Sequence, residues 1–378
     1  MQHRSFPKIP GLAVSTLGLG AMRLPTIAGD PGRIDEEAAT GLVHEAIRAG
    51  VNYVDTAWPY HAGASEPFLG RALAGGWRAR VQLATKSPVW EMKAEGDWER
   101  ILDRQLERLA TDRIDFYLLH ALDGARWDTV QRLRGLAALE RARADGRIGH
   151  LGFSFHGPAS DFATIVDAYD WELCQLQLNY LDQGFQAGLD GLRRAAERRI
   201  GVVVMEPLRG GALAASPPAI RSLLARGGRP WSPAEWALRW LWSRPEVVTV
   251  LSGMGAAAQL AENAAAAAAA APLSAGELSL LEEARAWYQA RMAVPCTTCG
   301  YCQPCPTGVA IADVFNSWNS GRMFEDPRSA AWIYRKFQLD PGAGADQCQE
   351  CGACVERCPQ GIAIPERLRE AHAYLTAG

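Results

Sequence analysis

No stretch of this 378-residue chain is apolar for long enough to cross a bilayer. A spanning helix needs about 20 such residues, and the longest small-residue run, Ala264–Ala271, is a short tract of good helix formers. The N-terminal stretch MQHRSFPKIPGL has no apolar core of the kind that marks a secretory signal. The expectation is a cytoplasmic protein with no membrane partner, in a reducing compartment where disulfides are disfavoured. A basic stripe is missing as well. Lys and Arg number 39 against 42 Asp and Glu, the net charge is −3, and the two signs are interspersed. No nucleic-acid partner is expected from that balance. Also absent is a G-x-G-x-x-G turn after the first apolar run, where the chain reads GLGAMRLP. An open, doubly wound dinucleotide sheet should carry one there.

Cysteine, by contrast, is concentrated. Of nine, Cys174 stands alone in an apolar run and reads as a small core residue. The other eight fall into two short runs, PCTTCGYCQPCP and QCQECGACVERCPQ. The first places Cys296, Cys299, Cys302 and Cys305 at C-x2-C-x2-C-x2-C-P; the second places Cys348, Cys351, Cys354 and Cys358 at C-x2-C-x2-C-x3-C-P. Paired C-x2-C units can build zinc sites, but three cysteines so close together crowd one side of a single ion. A cubane, whose irons each take one thiolate, suits them better. The second run has the bacterial ferredoxin spacing, in which the fourth cysteine typically ligates the other cluster. The first is one residue short before its last cysteine. Two [4Fe–4S] clusters held by the eight thiolates are expected, with zinc or a single cluster as the alternatives.

The rest of the chain alternates short apolar runs with helix-period segments. VSTLGLGAM (14–22), VNYVD (51–55), VQLATK (81–86), IDFYLLH (114–120), IGHLGFS (148–154), LCQLQLNY (173–180), VVVM (202–205) and VVTVLS (247–252) are rich in Val, Leu and Ile and do not alternate with polar residues. Such runs fit parallel strands buried on both faces. Helix patterns fall between them, among others at about 35–49, 97–110 and 128–145. Strict alternation over this length predicts an α/β fold, a (β/α)8 TIM barrel.

Chemistry in such a barrel gathers where the strands end. Asp55 ends the second strand, Tyr60 follows in its loop, Lys86 ends the third and His120 the fourth. With these four types in this order, the chain resembles the aldo-keto reductase superfamily, in its branch with a C-terminal ferredoxin-like module. YHAGASEPFLG (60–70), GFSFHG (152–157), MEPLRGG (205–211) and LSGM (251–254) carry the resemblance further. It implies a catalytic tetrad of Asp55, Tyr60, Lys86 and His120. The chemistry agrees. A phenol titrating near 10 is a weak acid at neutral pH. A buried ammonium at Lys86 would stabilise phenolate and lower the Tyr60 pKa, Asp55 would hold Lys86 charged, and His120 could hydrogen-bond the substrate carbonyl.

The resemblance also implies NAD(P)(H) as cofactor. Ser154 and Gln175 match its nicotinamide carboxamide contacts, although Phe155 stands where Asn is usual, and Met205 replaces the aromatic that stacks on the nicotinamide. Glu262 and Asn263 match its adenine contacts. Gly253 and Gln259 stand where a base for the 2′-phosphate would be, which leaves Arg209 as a substitute and leaves NADP preference unsupported. Trp58 and His61, beside Tyr60, and His156, after the fifth strand, are further candidates for the mouth. Trp236 and Trp240 share a helical face and read as packing.

The expected organisation is an aldo-keto reductase-like barrel at 1–272, a connecting helix at 273–294 and a ferredoxin-like 4Fe–4S domain at 295–378. The expected function is reversible reduction of a small carbonyl to an alcohol with NAD(P)H, Tyr60 being the general acid and the clusters serving electron transfer or structure. A second reading feeds the reductase from the clusters, through a redox partner protein, with nicotinamide secondary or absent. A third is an electron carrier or redox sensor whose barrel only docks a partner. Anaerobically prepared protein is expected to be brown and to carry about eight irons per chain, from two cubanes. A measured content near four iron atoms, or zinc, would exclude the two-cluster reading.

Overall fold

Runs of Val, Leu and Ile with no polar alternation must be covered on both faces. In the computed structural model, which describes residues 1–377, they are. Eight parallel strands close into a barrel in the ring order β10-β3-β4-β5-β6-β7-β8-β9. These are β3 (Leu17–Gly20), β4 (Tyr53–Asp55), β5 (Gln82–Ser87), β6 (Ile114–Leu122), β7 (Ile148–Phe155), β8 (Leu173–Gln177), β9 (Gly201–Met205) and β10 (Val247–Ser252). Every residue of β4 and β10 is buried. β10 pairs with both β3 and β9 and so closes the ring.

Two short strands, β1 (His3–Ser5) and β2 (Ala13–Ser15), pair antiparallel ahead of the barrel. Phe6, from the connection between them, packs with Tyr53, Phe116, Leu173, Val203 and Val248. These include the first residues of β4 and β8, so the hairpin plugs the end where strands begin and leaves the other end for the site.

Helices fill the crossovers. α1 (Glu36–Arg48) is capped by Asp35, whose side chain accepts from the Ala38 amide. α2 (Ser65–Ala72) and α3 (Asp97–Arg108) follow β4 and β5. The helix expected over 128–145 is two, α4 (Gly124–Arg132) and α5 (Gly135–Ala144), broken at Arg134 with φ 50°. The break lets Gly135 approach the Trp98 indole, where a Cβ would lie 2.7 Å from the ring. α6 (Ala159–Asp167) and α7 (Gly188–Glu197) flank β8, and α9 (Pro233–Trp242) and α10 (Ala257–Ala268) flank β10. Trp236 and Trp240 of α9 are buried, as is Cys174 on β8.

The chain divides into two compact units. The first is Met1–Leu213 with Ala234–Ser274; the second is Ala214–Pro233 with Ala275–Gly378. In the second, α8 (Pro218–Ala225) and α11 (Ala275–Gln289) are joined by Tyr288 Oη donating to Ser216 Oγ (3.1 Å) and by ion pairs Arg229–Glu277 and Arg226–Glu283, both 2.7 Å. α12 (Ile311–Met323), α13 (Pro327–Tyr334) and α14 (Ile364–Thr376) surround a core of Val309, Ile311, Phe315, Tyr334, Ile364 and Leu368. Among the described residues no helix is long and apolar enough to cross a membrane.

One close approach tests the packing of the first unit. A Cβ on Gly70 of α2 would lie 2.7 Å from the Arg108 carbonyl oxygen and 2.8 Å from the Leu109 carbonyl carbon. Alanine in a helix interior ordinarily gains about 0.5–1 kcal/mol over glycine, whereas forcing rigid backbone apart costs about 1–3 kcal/mol. Gly70→Ala is therefore expected to lower the thermal midpoint. A raised Tm would show that α2 and α3 lie farther apart.

Candidate active site

Parallel strands in register bring their last residues to one rim. Asp55 ends β4 and pairs with Ala84 of β5; Lys86 of β5 pairs with Leu118 of β6, two residues before His120. Tyr60 opens a turn in which His61 and Ala62 are left-handed, with φ 54° and 53°. All four tetrad candidates therefore meet at one mouth.

Lys86 is 1% exposed, and its ammonium has three acceptors for its three protons: Asp55 Oδ1 at 2.6 Å, the Thr56 carbonyl at 2.8 Å and Tyr60 Oη at 3.4 Å. Burial alone would pull the ammonium down, but Asp55 and Tyr60 outweigh it and hold its pKa above the ordinary lysine value. Tyr60 is only partly shielded from solvent. Even so, burial pushes its phenol up, Lys86 works against that, and Asp55 and Glu206 add to the rise. The net direction is upward, which corrects the sequence-based expectation of a lowered phenol. The desolvation that strengthens Lys86's pull also penalises phenolate, and the penalty is larger.

His120 stands edge-on to Tyr60, ring centroids 6.3 Å apart, and its Nδ1 is buried with no partner among the described residues. Burial pushes its imidazole well down, helped by the positive charge of Lys86 and Arg126, so it is neutral at physiological pH. Trp90, in the turn after β5, lies 5.0 Å from His120 and is 36% exposed. It is a wall of the mouth that the sequence reading missed, because nothing in SPVWEM marks its direction.

The cofactor candidates separate into two groups. Ser154, Gln175 and Met205 come from adjacent strands β7, β8 and β9 and meet. Gln175 Nε2 lies 3.6 Å from Met205 Sδ, while Gln175 Oε1 is buried and unpartnered among the described residues. Ser154 Oγ accepts from the Ala121 amide at 2.7 Å, which leaves its hydroxyl proton to donate. One free acceptor beside one free donor is the complement of a carboxamide, so these residues fit a nicotinamide. On α10, Asn263 is buried and donates to Ser252 Oγ (3.2 Å), while Glu262 is exposed.

Arg209 is engaged by Asp182 at 3.1 Å, each side chain about 15% exposed (16% and 15%). Another guanidinium stands closer to open solvent. Arg23, after β3, is 51% exposed and lies 3.9 Å from Glu206. Its Cβ, Cγ and Cδ are each 3.1 Å from where a Cβ on Gly253 would be, so Arg23 occupies the space that a side chain at 253 would take. The GLGAMRLP stretch did not reveal this, because the crossing joins loops some 230 residues apart in sequence.

The remaining histidines have other duties. His61 Nδ1 bonds the Pro31 carbonyl (2.8 Å) and Nε2 accepts from the Leu24 amide (3.2 Å), so both ring nitrogens anchor backbone. Trp58 lies under the Arg108 guanidinium at 4.3 Å. His156 is exposed and bonds Gln186 at 3.3 Å.

In the second unit, Cys296, Cys299 and Cys302 line one cavity together with Cys358 of the other run, between Ile311, Phe315 and Ile362. The thiols whose charge bears on Cys354 are Cys348 and Cys351 of its own run and Cys305 of the first. The cavity thus sets Cys358 with the first three cysteines of the other run, while Cys305 bears on Cys354. Among the described residues no three His, Cys, Asp or Glu side chains converge on one point as a single ion needs. Thiols ringing a cavity fit a cluster that takes one thiolate per iron.

Comparison with known proteins agrees with this geometry. The profile of the Aldo/keto reductase family matches residues 16–286, and that of the 4Fe-4S dicluster domain matches residues 295–363. The chain is 27% identical over 287 residues to L-galactose dehydrogenase of Arabidopsis thaliana, covering 68% of this chain and 85% of that protein. It is 26% identical over 309 residues to an NADH-specific methylglyoxal reductase of Escherichia coli, covering 68% and 90%. An aldo-keto reductase from Bacillus halodurans in its holo form superposes with a TM-score of 0.61 at 26% identity, over 75% of this chain and 96% of that one. A thermostable aldo-keto reductase crystallised with the inhibitor epalrestat shares the fold (TM-score 0.63, 23% identity, 75% and 99% covered). The protein belongs to the aldo/keto reductase family and carries a C-terminal 4Fe-4S dicluster domain; it is an aldo-keto reductase-type oxidoreductase.

The buried pair makes a stability prediction. Lys86→Met leaves Asp55 buried without its countercharge, an error that typically costs about 3–5 kcal/mol. Burial already holds the Asp55 carboxyl above its ordinary value despite Lys86; without Lys86 it rises further, so the folded variant binds the proton still more tightly and the deficit shrinks as pH falls. Urea unfolding at pH 8 and pH 5 should show a large and a smaller loss, and Asp55→Asn in the same chain should recover part of it. An equal loss at both pH values would mean that Asp55 is not left charged in the core.

Proposed function

We propose that this protein reversibly reduces a small carbonyl compound to its alcohol, with Tyr60 as general acid. The observation that carries the reading is the Lys86 ammonium shared between Asp55 and Tyr60 beside a neutral His120. NAD(P)H, when bound, supplies the hydride that goes to the carbonyl carbon; Ser154 and Gln175 would hold its carboxamide. The proton that reaches the carbonyl oxygen comes from Tyr60 Oη. Lys86 stabilises the phenolate left behind, and Asp55 keeps Lys86 charged. His120, being neutral, can donate a hydrogen bond to the carbonyl oxygen and orient it, but it is not the acid. Bulk solvent restores the phenol proton.

The cysteine grouping supports two [4Fe–4S] clusters, one on Cys296, Cys299, Cys302 and Cys358, the other on Cys305, Cys348, Cys351 and Cys354. Such clusters supply single electrons, not hydride. The exposure of Cys351 favours a second reading, in which a redox partner meets the cluster domain and nicotinamide is secondary. The relatives' substrates motivate methylglyoxal and L-galactose as first probes.

Tyr60→Phe should cut turnover by about 100-fold or more while leaving the cluster absorbance intact, because only the proton donor is lost. Near-normal activity would show that another group is the acid. Because the Tyr60 pKa lies above its ordinary value of 10, the phenol stays protonated through neutral pH. Carbonyl reduction should then be flat from about pH 6 to 9, whereas alcohol oxidation, which needs phenolate, should climb across that range. A reduction rate that falls off near pH 8 would overturn the sign.

Fluorescence titration with NADH and NADPH separates the two readings, since only the first requires tight binding of either. Discrimination should be modest or favour NADH, given Gly253 and Gln259 and the prior engagement of Arg209. An NADPH preference above about a hundredfold, roughly 2.7 kcal/mol, would point to Arg23 or Arg209 as a phosphate contact.

A further inference from the structure

The turn that carries Tyr60 is the least regular part of the mouth. His61 and Ala62 are left-handed and Gly63 has φ 90°, conformations that persist only where the surroundings enforce them. A single guanidinium does much of the enforcing. Arg108, the last residue of α3, donates to the carbonyl oxygens of Gly63 and, at 3.4 Å, Trp58, which flank Tyr60 in the chain. Its Cζ lies 4.3 Å from the centroid of the Trp58 ring. Behind it, Glu66 is fully buried and takes Arg108 Nε at 3.2 Å. Glu66 Oε1 in turn accepts from Thr85 Oγ1 (2.7 Å) and Gln105 Nε2 (2.6 Å), and Gln105 Nε2 also reaches the Lys86 carbonyl (3.1 Å). Tyr117 Oη donates to Gln105 Oε1 (2.6 Å) and fixes that amide. A chain of hydrogen bonds joined by the Arg108–Glu66 ion pair thus runs from the backbone around Tyr60 to the backbone of Lys86.

We propose that Arg108, backed by Glu66, is a positioning residue that holds the Tyr60 phenol against Lys86 and so sets how readily that phenol gives up its proton. The inference rests on the reading of Tyr60 as the acid. At 3.4 Å the Tyr60–Lys86 contact is at the long end of hydrogen bonding, where a further few tenths of an ångström removes it. Among the described residues the Tyr60 hydroxyl has no hydrogen bond recorded besides that to Lys86, and the clasp on the two flanking carbonyls holds the backbone that carries it. With the clasp gone, the phenol keeps its burial and loses its cation, so its proton is held more tightly.

Tyrosine labelled with 13C at Cζ reports this without substrate. The Tyr60 resonance is the one missing in Tyr60→Phe, and its pH titration is followed in wild type, Arg108→Met and Arg108→Lys. The midpoint should rise by about one pH unit in Arg108→Met and by less in Arg108→Lys, which keeps a cation against Glu66 but not the fork. With methylglyoxal as the kinetic probe, kcat should fall about 10- to 100-fold while KM moves less than about threefold, the split expected when a reacting group is misplaced. A merely structural role would lower the thermal midpoint without moving the Tyr60 titration. If Arg108→Met does not fold by circular dichroism, Arg108→Lys decides. A Tyr60 midpoint within about 0.2 pH units of wild type in the folded variants overturns the proposal. Wild-type turnover in Tyr60→Phe would instead overturn the assignment of the acid, leaving the titration to judge the clasp.

Discussion

One buried ammonium organises the mouth of this barrel. Taking Lys86 out of water costs several kcal/mol, and only close acceptors on all sides can offset it. Asp55, the Thr56 carbonyl and Tyr60 supply one acceptor for each of its protons. The consequence is mutual constraint. Among the described residues Asp55 has its countercharge only in Lys86, and Lys86 is held by contacts to three separate groups. The same positive centre helps keep His120 neutral, so under the proposed function the site holds one acid and one hydrogen-bond donor rather than two competing acids.

Such a centre needs backbone delivered at unusual angles. Left-handed non-glycine residues gather where strands give way to the mouth: His61 and Ala62 after β4, Ala121 at the end of β6, Glu206 and Arg209 after β9. Each costs about 1–3 kcal/mol in isolation. The interactions that hold them are specific: both nitrogens of His61 on backbone, Arg108 on two carbonyls, Ser154 on the Ala121 amide, Asp182 on Arg209. The strain and its restraints belong to one design, in which side chains converge because the backbone beneath them is held off its preferred path.

The second unit solves a different problem with less material. Its apolar core is small, and six of its cysteines, Cys296, Cys302, Cys305, Cys348, Cys354 and Cys358, pack directly against it. Cys358 of the second run lines a cavity with Cys296, Cys299 and Cys302 of the first, so the two runs are interleaved rather than side by side.

Much of this was legible in the residues. Short Val- and Leu-rich runs without alternation, separated by helix-period segments, fit two-sided buried strands, and their number and rhythm pointed to the barrel. A residue at a strand end is bound to face the mouth, which is why Asp55, Lys86 and His120 could be named, and the cysteine spacings determined a metal-bearing module. What the chain could not state was how neighbouring loops cross. The direction of the Tyr60 shift depends on burial, which no local stretch encodes, and there burial outweighs the cation. The place of Arg23 over Gly253 depends on two loops meeting across the rim. His61 read as a candidate for the pocket, yet tertiary contacts spend both its nitrogens on backbone. The place of Cys358 beside the first run, by contrast, was implied by its C-x2-C-x2-C-x3-C-P spacing, and the cavity sets it there. Periodicity and spacing are properties of the chain, whereas desolvation and through-space contact exist only once distant segments have been brought together.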